Sequence, residues 1–122
     1  MELFDASAVY EGFSYPSGIE RIAELGIVDM DLWFLLDAPF AERYCAALAK
    51  RYPNRSLIPF AKRTDNDDVA CFEFGKGDAV EVIHDFADPG WEQRKEYDNF
   101  WDWFTSAIDE FVSNAREDED SD

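Results

Sequence analysis

The sequence predicts an α+β fold: an antiparallel β-sheet covered by helices on one side, in a single domain. Three observations point there. The first half carries helical spacing with helix-end signals, the middle shifts to short runs rich in Val, Ile and Phe, and an aromatic helix closes the chain. A length of 122 residues suits one domain. Residues 1–115 form the expected folded unit, and 116–122, a charge run without large apolar residues, the expected acidic disordered tail.

Residues 1–13 read as an extended arm. Pro16 then suits a first helical turn, and Ser17 with Glu20 has capping-box spacing. Ile19, Ile22 and Ala23 share a face of this helix, and Gly26 is placed to stop it. Residues 27–36 are too apolar for a loop and are expected to be buried, as helix or strand. In the second helix Asp37 stands at the cap and Pro39 in the first turn, while Phe40, Tyr44, Ala47 and Leu48 make the expected core stripe. Lys50 and Arg51 complement the dipole at its end, before Pro53 and Asn54.

Residues 57–61, 69–74 and 80–86 read as strands. Pro59 has no N–H to give a ladder, which favours an edge position for the first of them. Gly75-Lys76-Gly77-Asp78 reads as a hairpin turn, and residues 92–97 as a polar loop after Asp88-Pro89-Gly90. Asp98 or Asn99 caps the last helix. Its expected inward face is Phe100, Phe104, Ala107, Ile108 and Phe111, widened by Trp101, Trp103 and Val112.

Composition excludes several function classes. A hydrophobic content of 47%, with 16% aromatic residues, is ample for a packed core. No apolar run approaches the ~18 residues of a membrane span, and the first residues lack the basic and apolar pattern of a signal peptide. Cys45 and Cys71 have no metal-like or redox-like spacing, so they read as buried, reduced thiols of a cytoplasmic protein. The 28 acids against 11 bases give a net charge of −17. That excess argues against nucleic acid and anionic lipid as partners, since both need clustered Lys and Arg. Any charged partner should be basic.

The run Asp65-Asn66-Asp67-Asp68 resembles a cation loop only at first glance. Counted from Asp65, the sixth position is Ala70 and the twelfth Lys76, where a calcium loop needs Gly and Glu. Asn and Asp between two strands make a turn. His84 is the single histidine, and the adjacent Asp85 points to the opposite face of a strand, so the two do not form a base with its orienter. No nucleophile, metal or phosphate motif is present, and the carboxylates are too numerous for spacing to single out an acid/base pair. The residues therefore assign no catalytic group, no cofactor and no metal, and the reading is of a protein that is not an enzyme.

A family pattern remains. Leu57-Ile58-Pro59-Phe60-Ala61, the Asp-rich turn, Val69-Ala70-Cys71-Phe72, Val80-Glu81-Val82-Ile83-His84-Asp85 and Asp98-Asn99-Phe100-Trp101-Asp102-Trp103-Phe104 together resemble the SUKH superfamily. That group includes the fungal Smi/Knr cell-wall regulators and bacterial proteins that neutralise polymorphic toxins. The resemblance covers residues 57–108, and the segment before it looks like a short bacterial branch. It implies a helix-covered antiparallel sheet without a catalytic centre, acting as a binding scaffold. For a bacterial member it implies stoichiometric neutralisation of a toxin, often a nuclease or deaminase. A general interaction or regulatory module is the alternative. Toxins that act on nucleic acid need basic surfaces, and an acidic binder meets such a surface quickly. The candidate partner-binding residues are Asp65, Asp67 and Asp68 with Trp91, Glu92, Glu96 and Tyr97. Trp91 serves equally as a core plug beneath a loop or as a binding anchor.

Overall fold

The structure, a computed structural model, describes residues 1–120. After a short 3-10 turn at Ala6–Ala8 the elements run α1 (Ser17–Glu24), β1 (Trp33–Leu35), α2 (Ala38–Arg51), β2 (Leu57–Arg63), β3 (Asp68–Glu73), β4 (Val80–His84), β5 (Gln93–Tyr97) and α3 (Phe100–Asp120). The strands form one five-stranded sheet in sequence order, with every neighbouring pair antiparallel. The fold is thus α+β, as the order of patterns predicts. No helix among the described residues is long and apolar enough to cross a membrane.

The helices do not share one side of the sheet. α1 and α3 cover one face, where Ile19, Ile22, Phe100, Trp103 and Ala107 close over Phe60, Ala70, Phe72 and Val82. Phe60 stacks on Phe72 with centroids 4.5 Å apart, and Trp103 meets Phe60 edge-on at 4.9 Å. Gly18 permits the close approach of the two helices, since a Cβ there would stand 2.7 Å from the Phe100 ring. The second half of α2 covers the other face, where Leu48 and Tyr52 bury Leu57, Val69, Cys71 and Ile83 as a separate cluster. This explains β3, which is buried at every position. A strand covered on both faces has no solvent side and so shows an unbroken apolar run instead of alternation.

Local signals hold where they involve one turn of chain. Gly26 adopts φ +74° and ends α1, with Ile27 N–H bonding Ile22 C=O and Gly26 N–H bonding Ala23 C=O. Asn99 Oδ1 accepts the Asp102 N–H at 2.9 Å and caps α3. Two expected caps differ. Ser17 lies inside α1 and makes no cap bond, and Asp37 Oδ1 instead accepts the Glu2 N–H of the arm at 3.1 Å. The buried side of α2 is Ala41, Cys45 and Leu48, about one helical position from the predicted stripe, so Phe40 points outward. In α3 the buried positions are Phe100, Trp103 and Ala107, while Trp101, Phe111 and Val112 are exposed.

Two strands differ from expectation. β2 is interior, yet β1 pairs only with residues 61–63 and a bulge follows Pro59, so the proline meets no partner that needs its missing donor. Residues 93–97 form edge strand β5, and its row Gln93, Arg94, Lys95 and Glu96 is what guards an open sheet edge against further pairing. α3 continues through residues 116–120 of the acidic run predicted to be disordered, and the last two positions of that run lie outside the described residues.

One carboxyl is buried in an unusual way. Glu81 of β4 is 1% exposed and sits between Cys71 and Glu96 in register. Gln93 Nε2 donates to its Oε2 at 2.8 Å, and Oε1 has no partner among the described residues. Burial, then the facing Glu96 carboxyl, push this carboxyl up to about 7 from an ordinary value of 4.5. Between those values the folded chain holds a proton that the unfolded chain has lost, so this group makes stability fall as pH rises through that window. Glu73 has the opposite sign: Arg55 holds it below its usual range, and its contribution is lost as pH falls into acid. Urea denaturation followed from pH 5 to 8 should therefore show a decline in the wild type that is absent in Glu81→Gln. The variant should be more stable at pH 8 by roughly 1–3 kcal/mol, since a tenfold change in proton affinity is worth ~1.4 kcal/mol. Parallel curves would place the proton elsewhere.

Candidate functional site

The β4–β5 connection, residues 85–92, is held from beneath by the end of α2 and the residues just after it. Arg51 Nε and Nη2 each donate to one oxygen of the buried Asp85 carboxylate at 2.7 Å. The Tyr52 hydroxyl donates to Ala87 C=O at 2.7 Å. Burial, then the Asp85 charge, push its phenol upward, so it stays a donor. Arg55 donates to Glu92 Oε2 at 3.1 Å and to both Glu73 oxygens at 3.1 and 2.8 Å. Burial opposes ionisation of Glu92, but the Gly90 N–H at 2.6 Å and Arg55 outweigh it and hold the carboxyl below its usual range. Both feet of the loop are tied, since His84 N–H reaches Glu92 C=O at 2.7 Å and Trp91 N–H reaches Asp88 C=O at 2.9 Å.

This framework displays two aromatic rings. Trp91 is 81% exposed and Phe86 is 68% exposed, the two highest values for large apolar side chains among the described residues. Phe86 also has φ +69°, a conformation that costs a bulky residue on the order of 1–2 kcal/mol. Its N–H donates to Asp85 Oδ1 at 2.9 Å, and the Arg51 guanidinium lies 4.4 Å over its ring. The same Arg51–Asp85 pair thus holds the backbone of Phe86 and packs one face of its side chain.

The acidic turn joins this end of the sheet. Asp67 C=O accepts the Asp85 N–H at 3.1 Å, and Asp68 pairs with His84 across β3 and β4. Residues 65–68 do form a turn: Asn66 Oδ1 accepts the Asp68 N–H at 2.8 Å, and Lys62 Nζ donates to Asn66 C=O at 2.7 Å. Asp67 is exposed. Asp65 belongs to the same rim, but Arg63 grips both its oxygens at 2.7 and 3.0 Å and lowers its pKa.

Asp68 and Glu92 are buried and hold strands together. Glu96 and Tyr97 are at the far end of β5, with Glu96 opposite Glu81 and the Tyr97 hydroxyl 3.1 Å from Ser106 Oγ. Of the predicted surface, Asp65, Asp67 and Trp91 stand on the two loops at one end of the sheet, and Phe86 joins them there. Pattern alone puts Phe86 at the end of a strand, because it closes an apolar run and nothing nearby marks the turn at Asp85.

His84 has a carboxylate after all, though not Asp85. Its Nδ1 lies 3.2 Å from Asp68 Oδ1 and 2.8 Å from Arg94 Nη2, while Arg94 Nε donates to the same Asp68 oxygen at 3.1 Å. A guanidinium can only donate, so the Arg94 contact is one in which Nδ1 accepts. Asp68 therefore does not orient the imidazole as a base, and Arg94 bridges the two. Burial pushes both cysteine thiols up, Cys71 most, which makes them poor nucleophiles. Comparisons of the chain with protein-family models, curated proteins and solved structures find no match.

Two substitutions separate framework from display. Arg51→Met leaves Asp85 unpaired and should destabilise the fold by roughly 1–3 kcal/mol, with faster amide exchange across residues 85–92. Phe86→Gly removes the backbone strain along with an exposed ring, and should leave stability unchanged or raised by up to ~1 kcal/mol. Denaturation midpoints with native-state hydrogen exchange check both, and a marked loss in Phe86→Gly would make the ring structural.

Proposed function

We propose that this chain is a non-catalytic binding protein whose contact surface is the β4–β5 loop, with Trp91 and Phe86 as anchors. One observation carries the reading: the two most exposed large apolar residues stand on one loop that buried ion pairs and carbonyl bonds hold in place. Aromatic side chains dominate binding energy when a partner buries them. A loop already fixed loses little further freedom on association. Exposed Asp67 and Asp88 flank it in a chain of net charge −17, which favours a basic partner and rapid encounter.

These properties suit the function that the SUKH resemblance implies, a cytoplasmic immunity protein that blocks a cognate basic toxin, such as a nuclease, by stoichiometric binding. The acid excess supports that reading through the basic surfaces such toxins require. Asp67 and Asp88 replace Asp68 as the steering acids, because Asp68 is occupied by Arg94.

Capture from the native lysate with wild-type and Trp91→Ala baits, at low and high salt, tests the proposal. The wild type should retain one basic protein in equal amount, and Trp91→Ala should lose it by roughly 10-fold or more. Asp67→Lys with Asp88→Lys should slow association several-fold at low salt and flatten its salt dependence. An acidic partner, or one held equally well by Trp91→Ala, ends this reading.

A further inference from the structure

Beside the loop, along the outer side of α2, runs an open groove of about 400 Å³ lined by Phe40, Arg43, Tyr44, Ala47, Arg51 and Phe86. Its helical residues span about three turns, or ~16 Å at ~1.5 Å per residue. That length matches about five residues of extended peptide. Phe40, 53% exposed, stands at the start of the helix, and Phe86 stands over its end. Each ring carries a guanidinium, Arg43 at 4.7 Å from the Phe40 centroid and Arg51 at 4.4 Å from that of Phe86.

The two arginines differ in what they have left to give. Arg51 is neutralised by Asp85. Arg43 donates only to the Pro39 carbonyl, at 3.4 Å, and has no carboxylate within ion-pair distance among the described residues. Arg55, Arg63 and Arg94 all hold carboxylates. Lys95, laid on Tyr97, likewise has no carboxylate partner among the described residues, but Arg43 differs in presenting a guanidinium in a groove walled by two exposed rings. Its planar fork matches a carboxylate, and the ring beneath it limits competition from water.

We propose that this groove is a second binding site, for an extended acidic–apolar peptide segment of a partner protein. An aromatic or branched aliphatic side chain lies between Phe40 and Phe86, and a neighbouring Asp or Glu carboxylate takes Arg43. The site is opposite in charge preference to the acidic rim and does not depend on the identity of the loop's partner. A second copy of the chain is a poorer occupant, because two molecules of net charge −17 repel far more than this chain and a short segment with one or two carboxylates do.

The test uses the full chain and fluorescently labelled six-residue peptides that share a Leu-Phe core. The flanking residues are Glu, Gln or Lys, and anisotropy reads the affinity. The Glu peptide should bind at least ~10-fold tighter than the Gln peptide. Arg43→Gln should erase that difference, Arg43→Glu should turn the preference to Lys, and Phe40→Ala should weaken the Glu peptide. Trp91→Ala should leave all three unchanged, which separates this site from the Trp91 contact of the loop, Phe86 being shared by both surfaces. Equal binding of the three peptides, binding of none, or an Arg43→Glu profile like the wild type overturns the proposal. Sedimentation velocity adds one more outcome: self-association abolished by Arg43→Glu would assign the groove to a second copy and equally overturn it.

Discussion

Arg51 and Asp85 form the contact on which the rest of the loop and groove depends. A carboxylate as buried as Asp85 is costly unless its charge is matched and its lone pairs are used. Arg51 supplies the match with two donors at 2.7 Å, and the Phe86 N–H uses a further lone pair. The pair ties the last turn of α2 to the end of β4, so helix and sheet cannot shift independently there. It holds the peptide of Phe86 in a conformation the residue would not choose, and it offers the ring a cation to lie against. The groove along α2 has Phe86 as a wall for the same reason.

Scarcity of cations shapes the remaining electrostatics. Arg55 serves Glu73 and Glu92, Arg63 serves Asp65 and Glu110, and Arg94 serves Asp68. These arginines are spent inside the fold or at its strand ends, which leaves the surplus acids facing water. Glu81 shows the other way to bury a carboxyl. Its close neighbours Gln93 and Glu96 supply no cation, so it holds a proton up to about pH 7, and its pKa moves up where that of Glu73 moves down. A rim of unmatched negative charge is a consequence of this allocation.

What can be read from the sequence is local. The stop at Gly26, the proline in the first turn of α2 and the cap at Asn99 each depend on a few neighbouring residues, and the strand runs on their own composition. The side of α2 that packs is hidden from pattern reading because Phe40 and Tyr44 outweigh Ala41 and Cys45 in size. Small residues let the helix sit close to the sheet, and the large ones remain outside as the groove. β5 has no apolar period of its own, and only pairing with β4 makes it a strand. Within the candidate site, Trp91 is visible as an aromatic residue just after a Pro-Gly turn. The roles of Asp68 and Glu92 are not, since Arg94 and Arg55 reach them from 26 and 37 positions away in the chain.

Among the described residues, the two non-glycine ones with positive φ show why the loop invites a functional reading. Asp31, at φ +70°, explains itself: aspartate tolerates this region, and its N–H bonds the Asp29 side chain at 2.9 Å in an exposed turn. Phe86, at φ +69°, has no such excuse. A bulky side chain is disfavoured there, its ring is mostly in water, and glycine would serve the fold at least as well. The strain is upheld by a buried ion pair that fixes this backbone, and the strained residue is one of two large apolar side chains most open to a partner. The Arg51 contact offsets about 0.5–1 kcal/mol of that strain, and burial of the ring by a partner, as proposed, would supply the remaining reason for a phenylalanine there.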